Sequence, residues 1–480
     1  MNHDDFSLAA AAHQEMLDHG FEPDFPPDAQ RQLDSLHPHP ADGLRDLTAL
    51  LWSSIDNDDS RDLDQIEWAE RTAGGIRVLV GVADVDSVIA RGTPIDAHAR
   101  RETTSVYTGI RTFPMLPEKL STDLTSLNEA QDRAAVVIEF LVAADGTVAN
   151  PAIYPARVRN HAQLTYNGVG AWLEGKAAPP AKVAASADLA AQLKLQDEAA
   201  QALREERHRL GALTFDREES QAVITDGNVT SMVARTSNRA AHLIEDFMIG
   251  ANEVMARTLR EAGVSSIRRI VKSPERWARI VELAKQSGDQ LPPDPDAGAL
   301  NGFLMRRKAA DPIHYADLSL AVLKLMGPGE YVLMRPGGEQ QGHFGLAAQD
   351  YTHSTAPNRR FADLVTQRLL KALHAQAPYS DADLDAIARA CTEKEDAARR
   401  VERAMNKRLA AASLQHRVGQ KFSAVVTGAS PKGVFVRVLD PPVEGRVMRG
   451  EEGLDVGDRV HVALLAADPR SGFIDFGRIA

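Results

Sequence analysis

The chain reads SIDNDDSRDLDQIE over residues 54–67, and this acidic segment is the most informative part of the sequence for both fold and chemistry. Asp62 and Asp64 are two residues apart, so on an extended segment both carboxylates face the same side. Asp56 lies six residues before Asp62, which leaves room for a loop between them. Clustered carboxylates repel one another unless a hard cation neutralises them, and their oxygens suit Mg²⁺ or Ca²⁺. The segment therefore predicts a metal site, where a pair of ions could hold both oxygens of a phosphodiester displacement.

Two other interpretations fit the same segment. Read as an EF-hand loop at 56–67, it places oxygen-bearing side chains at the calcium-binding positions, namely Asp56, Asp58, Ser60, Asp64 and Glu67. The sixth position of such a loop requires Gly for its sharp turn, and here it is Arg61. The third interpretation is a solvated acidic loop, and the segment alone leaves all three open.

Around this segment, the hydrophobic pattern predicts an α+β fold. Strands are expected in the alternating runs IRVLVGVADV (76–85) and AAVVIEFLVAADGTV (134–148). Helical periodicity follows over 239–261 and 359–375. Residues 381–417 contain neither Gly nor Pro, which favours one or two long helices.

The two ends of the chain differ from this central region. Residues 1–49 predict an acidic module of three short helices, either helix-turn-helix-like or a packing collar. Residues 418–480 contain five short apolar runs separated by Gly, which is typical of a small Greek-key barrel such as an OB-fold. We therefore expect three domains, at 1–49, 50–417 and 418–480.

Charge and composition limit the classes of function. The net charge is −12, and residues 1–64 account for all of it, with 15 acidic and 3 basic residues. Overall acidity argues against a general nucleic-acid binder but allows a polyanion to bind locally. A single cysteine, Cys391, excludes an internal disulfide framework, and we expect no disulfide-linked partner. No stretch is apolar enough for a signal peptide or membrane span. We expect a cytoplasmic, monomeric protein with no membrane partner.

A second polar segment, YTHSTAPNRRFAD, occupies residues 351–363. Thr355 could cap a helix whose first turn contains Pro357. The N-terminus of that helix, with Arg359 and Arg360 beside it, would suit a phosphate. The other interpretation is a simple surface pair between Arg359 and Asp363.

Together these segments resemble the ribonuclease II (RNB-type) family, whose members hydrolyse RNA from its 3′ end. Four motifs occur in the family's order: the acidic segment, RETTSVY (101–107) with PMLPEKLS (114–121), AHLIEDFMIGAN (241–252), and the segment at 351–363. The C-terminal barrel, ending in GFIDF (472–476), is similar to the RNA-binding OB-fold of many members. The resemblance covers about residues 50–480.

The resemblance assigns a metal and catalytic role to the acidic residues. Asp56, Asp62 and Asp64 match three of the family's four metal-binding aspartates, and Gln65 stands at the fourth position. A neutral amide still offers an oxygen to the metal but supplies less charge. The implied cofactor is Mg²⁺, with Mn²⁺ as the other candidate. Asp62, Asp64 and Arg359 are the implied catalytic residues, and Arg359 would stabilise the phosphate in the transition state.

The resemblance also implies contacts with single-stranded RNA. Tyr107 matches the aromatic residue that stacks on the last nucleotides, and Phe215 matches its partner. Glu245 or Asp246 would meet ribose hydroxyls, and Arg360 would contribute to RNA binding.

The resemblance predicts a Mg²⁺-dependent, hydrolytic 3′→5′ exoribonuclease that degrades single-stranded RNA to nucleoside 5′-monophosphates. The largest departure from the family is at the front, where 50 residues cannot hold the usual cold-shock OB-folds. A short bacterial-type member with easier access to structured RNA is therefore expected. The alternatives are an RNA-binding relative silenced by Gln65, or a calcium-binding protein.

Overall fold

A computed structural model describes residues 6–37, 41–215, 219–225, 227–373, 375–430 and 433–479, without the side chains of 219, 312–314, 316 and 317. Within them the α-helices are α1 (Leu8–Asp18), α2 (Pro27–Ser35), α3 (Pro94–Glu102), α4 (Tyr166–Leu173), α5 (Ala181–Ala184), α6 (Ala187–Arg209), α7 (Arg239–Glu261), α8 (Trp277–Gln286), α9 (Ala297–Ala310), α10 (Pro312–Met326), α11 (Phe361–Lys371) and α12 (Asp381–Leu414). One π-helical turn spans Leu120–Leu124, and one 3₁₀ turn spans Phe344–Leu346.

The strands of the first half are β1 (Arg45–Asp46), β2 (Trp52–Asp56), β3 (Gln65–Thr72), β4 (Gly75–Ala83), β5 (Val106–Tyr107), β6 (Thr112–Phe113), β7 (Asp132–Val142) and β8 (Val148–Thr165). Those of the second half are β9 (Glu219–Thr225), β10 (Asn228–Arg235), β11 (Ser266–Ile270), β12 (Glu330–Met334), β13 (Lys421–Ser430), β14 (Gly433–Leu439), β15 (Pro442–Arg449), β16 (Arg459–Asp468) and β17 (Phe473–Ile479). This mixture of helices and strands confirms the predicted α+β class.

A six-stranded sheet forms the centre of the molecule, with strand order β1-β8-β2-β3-β4-β7. The long strand β8 also pairs with β7, so the strands curl back on themselves. The apolar run at 76–85, predicted as a strand, forms β4, and every residue from Val78 to Ala83 is buried. A nearly continuous apolar run is what a strand covered on both faces requires.

Helices α6 and α7 pack on each other and against this sheet, and they close the main hydrophobic core. Trp52 of β2, Phe140 of β7 and Phe247 of α7 are fully buried in that core. Asn238 caps α7, because its side-chain oxygen accepts a hydrogen bond from the Ala241 amide. The helix predicted at 239–261 is confirmed at those bounds.

Helix α12 connects the central core to the two ends of the chain. It is one uninterrupted helix of 34 residues, begun by a capping box between Ser380 and Asp383. Its first turns contact the central core through Ile387, while Leu409 and Leu414 near its end pack under the C-terminal barrel. The stretch at 381–417, which contains neither Gly nor Pro, therefore contains a single long helix.

The first helix of the N-terminal module packs against α12, as a packing collar would. Ala12 and Met16 of α1 share a small core with Val401 and Met405 of α12. The predicted third helix is wrong, because Arg45–Asp46 form β1 and pair with the edge of β8 instead. Pairing with an open strand edge satisfies the backbone there more effectively than a short isolated helix would.

The C-terminal strands form the predicted barrel, closed in the order β13-β14-β15-β17-β16. All neighbours are antiparallel except β15 and β17. In the part of the chain that the structure describes, no helix is both long enough and apolar enough to cross a bilayer.

Candidate active site

The acidic residues meet where β2 ends and β3 begins. Asp56 is the last residue of β2, and Gln65 is the first of β3. These strands are neighbours, with Ser53 opposite Glu67, so both ends of the intervening loop lie together. Within the loop, the Ser60 hydroxyl donates to Asp56 Oδ1 at 2.8 Å, which holds the turn.

Asp64 links this loop to the segment at 351–363, almost 300 residues later. Its side chain is buried, and its Oδ1 accepts a hydrogen bond from the Asn358 amide at 3.0 Å. Its Oδ2 lies 3.4 Å from Nε of Arg359. The two polar segments of the sequence thus form a single site.

Burial dominates the electrostatics of Asp64. Desolvation raises the pKa of Asp64 from 3.8 to about 7, although Arg359 and the Asn358 amide lower it. The charges of Asp62 and Asp363 add to the rise. Arg359 alone therefore does not keep the Asp64 carboxyl ionised at mildly acidic pH. Additional positive charge near Asp64 would favour its ionised form.

Tyr107 lies beside Asp62, at the open side of the site. Burial is the main cause that raises the pKa of Asp62, while a hydrogen bond from Tyr107 lowers it. Tyr107 remains 43% exposed, although its backbone amide is bound by Glu402 of α12 at 3.3 Å. An exposed ring on a fixed backbone is suited to stacking on a base.

Arg359 and Arg360 have different environments. The alternative interpretation, a surface pair between Arg359 and Asp363, is wrong: Arg360 binds Asp363 through two hydrogen bonds of 2.7 and 2.9 Å. Helix α11 also begins at Phe361, with no cap from Thr355, because Arg360 adopts an extended conformation and bridges to Thr104. Arg359 is thereby left to face Asp64, with 44% of its side chain exposed.

The EF-hand interpretation is wrong. In such a motif the residues after Asp64 would begin an exit helix, whereas Gln65–Thr72 form strand β3 and pair with β4 along their whole length.

Glu67, which the sequence indicated only as the last position of an EF-hand loop, has an unusual environment. It is fully buried on β3, and neither carboxylate oxygen has a hydrogen-bond partner among the described residues. Burial, followed by the charge of Asp56, raises the pKa of Glu67 well above its usual value. The signal available in the sequence was its position two residues after Gln65, which places both on one face of a strand.

The donor chemistry of this site fits Mg²⁺ or Mn²⁺, because the side chains offer carboxylate and amide oxygens. The raised pKa of Asp64, whose ionised form a cation would favour, and the unpartnered oxygens of Glu67 fit a cation as well. Within the described ranges, no group of three or more His, Cys, Asp or Glu side chains is arranged to hold an ion. The fit therefore rests on donor type and charge.

The remaining predicted RNA-binding residues lie elsewhere. Phe215 is partly buried against a cluster of α8, α9 and α10 that contains Trp277 and Phe303, and no contact joins it to Tyr107 within the described residues. Glu245 and Asp246 of α7 both pair with Arg204 of α6. Asp246 is buried and Glu245 is exposed, so Glu245 is the more accessible of the two. RNA contacts by these residues stay predictions.

Comparison with known families identifies the class of protein. An RNB domain matches residues 44–376, and an RNase II-type exonuclease C-terminal S1 domain matches residues 420–479. The chain therefore belongs to the RNB family of RNase II-type exonucleases, which confirms the resemblance and the predicted enzyme class.

Individual relatives carry the name ribonuclease R. The chain is 28% identical over 461 residues to ribonuclease R 2 of Lactococcus lactis, covering 89% of this chain and 68% of that one. It is 30% identical over 482 residues to ribonuclease R of Escherichia coli, covering 91% of this chain and 58% of that one. The fold is similar to that of Mycoplasma genitalium RNase R in complex with ribose methylated single-stranded RNA, with a TM-score of 0.87, 23% identity, and coverage of 100% and 79%.

Proposed function

We propose that this protein is a divalent-metal-dependent, hydrolytic 3′→5′ exoribonuclease that degrades single-stranded RNA to nucleoside 5′-monophosphates. The observation that carries the proposal is the pairing of Arg359 with the buried Asp64, beside the exposed ring of Tyr107. One short region thus combines a phosphate-binding cation, clustered carboxylates and a stacking surface. The chain's membership of the RNase II-type exonucleases supports the same reaction.

Different residues of the site would bind the RNA and promote its hydrolysis. Stacking of a terminal base on Tyr107 would contribute about 1–3 kcal/mol without sequence preference. Arg359, close to Asp64 and partly exposed, is placed to neutralise charge that develops on the scissile phosphate. Mg²⁺, or Mn²⁺, held by Asp56, Asp62, Asp64 and Gln65, would supply Lewis-acid activation of water and of the phosphate.

The products follow from which bond breaks. The oxygen of water forms a bond to the last phosphorus, and the bond from that phosphorus to the preceding 3′-oxygen breaks. The shortened RNA takes up a proton as its new 3′-hydroxyl, and the terminal nucleotide leaves with a 5′-phosphate. Repetition of this step degrades the strand from its 3′ end.

The proposal also covers the kind of RNA degraded, the domain organisation and the cellular compartment. A structure of Mycoplasma genitalium RNase R has also been solved with double-stranded RNA, which supports access of this chain to structured RNA. We propose 1–49, 50–417 and 418–480 as collar, catalytic and RNA-binding units, acting as a cytoplasmic monomer. The silenced RNA-binding alternative is not favoured, since the Asp64–Arg359 pair that hydrolysis needs is intact.

A gel time course tests this function. Single-stranded RNA labelled at its 5′ end is incubated in Mg²⁺, Ca²⁺ or EDTA, with matched DNA in parallel and released nucleotides identified by mass spectrometry. We expect Mg²⁺-dependent collapse to one short fragment, release of nucleoside 5′-monophosphates, and intact DNA. Asp62→Asn should be inactive, whereas Asp59→Asn, an exposed carboxylate in the same loop, should degrade RNA normally. Intact RNA in every lane would contradict the proposal.

A further inference from the structure

We propose that Thr125 is a positioning residue for RNA hydrolysis, which acts through Asn358 to hold Arg359 beside Asp64. The inference deepens the proposed function, because it rests on Arg359 and Asp64 as parts of the hydrolytic site. Thr125 and Asn358 are 233 residues apart in the chain, and a buried hydrogen bond joins their side chains.

Thr125 has a fixed position at the end of a π-helical turn. The motif at 114–121 leads into this turn at Leu120–Leu124, and Thr125 is the residue that follows it. The Thr125 amide donates to the Leu120 carbonyl at 3.0 Å, and the Thr125 hydroxyl lies 2.9 Å from the same carbonyl. The Thr125 side chain is buried. Turns of this kind are rare and occur frequently at functional sites.

The two residues after Thr125 bind the acidic loop. The Ser126 hydroxyl accepts a hydrogen bond from the Leu63 amide at 2.9 Å, and the Leu127 amide donates to the Leu63 carbonyl at 3.0 Å. Leu63 directly precedes Asp64, and its side chain is buried. The backbone on the N-terminal side of Asp64 is therefore tied to the segment that contains Thr125.

The side chain of Thr125 connects this segment with the arginine. Its hydroxyl donates to Asn358 Oδ1 at 2.6 Å, and the Asn358 side chain is buried as well. The backbone amide of Asn358 donates to Asp64 Oδ1 at 3.0 Å. The next residue is Arg359, whose Nε lies 3.4 Å from Asp64 Oδ2. The hydroxyl of Thr125 thus holds the residue that turns Arg359 towards Asp64.

The carbonyl side of Arg359 has a separate support. The Arg359 carbonyl accepts a hydrogen bond from the Ser105 amide at 2.9 Å, and Thr104 forms a bridge with Arg360. These backbone contacts do not involve the Thr125 side chain, so they remain when its hydroxyl is removed. Removal of the hydroxyl should therefore change the orientation of Arg359 without unfolding the segment.

The Thr125–Asn358 pair is poorly suited to a purely structural role. Asn358 Nδ2 is buried and has no hydrogen-bond partner among the described residues. A buried donor without a partner costs free energy, whereas replacement of both partners by apolar groups of the same shape is nearly neutral. An apolar pair would therefore serve stability at least as well. The polar pair serves the geometry of Arg359 and Asp64 instead.

The expected effect is on the rate of hydrolysis rather than on RNA binding. Arg359 is placed to neutralise charge that develops in the transition state, so a shift of its guanidinium should lower kcat more than it weakens binding. A displacement of about 1 Å in an active site can cost about 100-fold in rate. Tyr107 and the barrel, which would bind the RNA, have no hydrogen bond with Thr125 among the described residues.

Single-turnover hydrolysis of 5′-labelled RNA and fluorescence anisotropy test this inference on the full-length chain. Thr125→Val removes the hydroxyl and keeps the shape, whereas Thr125→Ser keeps the hydroxyl. Thr122→Val is the matched control, because the Thr122 hydroxyl binds only the Glu118 carbonyl four residues earlier, at 2.8 Å. We expect Thr125→Val to lower kcat by about 10- to 100-fold, with the RNA dissociation constant changed less than about threefold. Thr125→Ser should recover kcat to within about threefold of wild type, and Thr122→Val should match wild type.

Two double variants separate positioning from stability. Thr125→Val with Asn358→Leu replaces the polar pair by an apolar one and keeps the backbone amide that binds Asp64. It should be at least as stable as wild type in urea denaturation, yet remain as slow as Thr125→Val. In an Arg359→Ala background, Thr125→Val should lower kcat less than about threefold, because the arginine that it positions is absent.

Several results would overturn the inference. They are wild-type kcat in Thr125→Val, failure of Thr125→Ser to recover, wild-type kcat in the apolar double variant, or an equal loss in the Arg359→Ala background. If Thr125→Val alone does not fold, the apolar double variant, which has no unpaired amide, provides the rate comparison.

The wild-type control keeps this inference distinct from the proposed function. If wild type does not hydrolyse RNA, the proposed function is contradicted, and the positioning role of Thr125 is contradicted with it. If wild type hydrolyses RNA and Thr125→Val does so at the same rate, only the role of Thr125 is contradicted.

Discussion

Replacement of Asp64 by Asn should stabilise the metal-free protein at alkaline pH. The buried Asp64 carboxyl has its pKa raised from 3.8 to about 7, and each pKa unit corresponds to about 1.4 kcal/mol. The folded state therefore holds this proton more tightly than the unfolded state does. Stability is highest below about pH 4 and falls as the pH rises towards about 7, by at most about 4 kcal/mol. Asn has no proton to lose, so Asp64→Asn should avoid that loss.

The measurement is urea denaturation in EDTA at pH 4.5 and pH 8, comparing Asp64→Asn with wild type and with Asp59→Asn. We expect Asp64→Asn to exceed wild type in free energy of unfolding by about 2–4 kcal/mol at pH 8 and by much less at pH 4.5. The exposed Asp59 should show no such difference. Asp64→Asn that is less stable than wild type at pH 8, or equally stable at both pH values, would refute the electrostatic reasoning.

Asp64→Asn should lose RNA hydrolysis but still bind RNA. Asn preserves the oxygen that accepts the Asn358 amide and leaves Tyr107 and the barrel untouched, so the RNA-binding surface is retained. The substitution removes the negative charge that a metal ion would bind and that Arg359 faces. We expect turnover to fall at least a thousandfold while the RNA dissociation constant changes less than threefold, measured by single-turnover hydrolysis and fluorescence anisotropy. Retained turnover would show that Asp64 is not an essential ligand.

Three further predictions concern grip, transition-state charge and the scaffold. Tyr107→Ala should change the length of the final undegraded fragment, because loss of base stacking changes how short an RNA the protein can still bind. An unchanged fragment length on a sequencing gel would contradict this. Arg359→Ala should lower kcat about 10²–10³-fold with a smaller effect on KM, measured with saturating RNA, and a pure KM effect would contradict a role in the transition state. Arg368→Met should cost about 3–5 kcal/mol of stability in urea denaturation, because the 3% exposed Arg368 binds the buried Asp96 at 2.7 Å; a loss below 1 kcal/mol would refute this.

Regular elements with strong periodicity could be predicted from the sequence. The apolar run of β4 and the amphipathic pattern of α7 fixed those elements locally, and the structure confirms both. The prediction of a third N-terminal helix was wrong because the Leu47 amide donates a hydrogen bond to the Arg157 carbonyl of β8. That strand edge is more than 100 residues away in sequence, and local periodicity contains no information about it.

The active site was predictable in composition but only partly in geometry. The order of motifs placed Asp64 and Arg359 in one site, and their 3.4 Å separation agrees. The start of α11 was misplaced because Arg360 forms a tertiary bridge to Thr104, which overrides the local capping signal of Thr355. Glu67 was overlooked because a loop interpretation of 56–67 hides the face that it shares with Gln65.

The position of Tyr107 explains how a distant N-terminal helix can affect the site. Tyr107 and Val106 form the short strand β5, whose pairing with β6 is only two residues long. Val106 is buried among Ala12 and Met16 of α1 and Met405 of α12, and Glu402 binds the Tyr107 amide. Two residues of pairing are a weak support for a strand, and the packing of α1 against α12, the contact with Glu402 and the bridge from Thr104 to Arg360 add to it. Because α12 also packs under the barrel at its end, α1, Tyr107 and the barrel are all connected through this one helix.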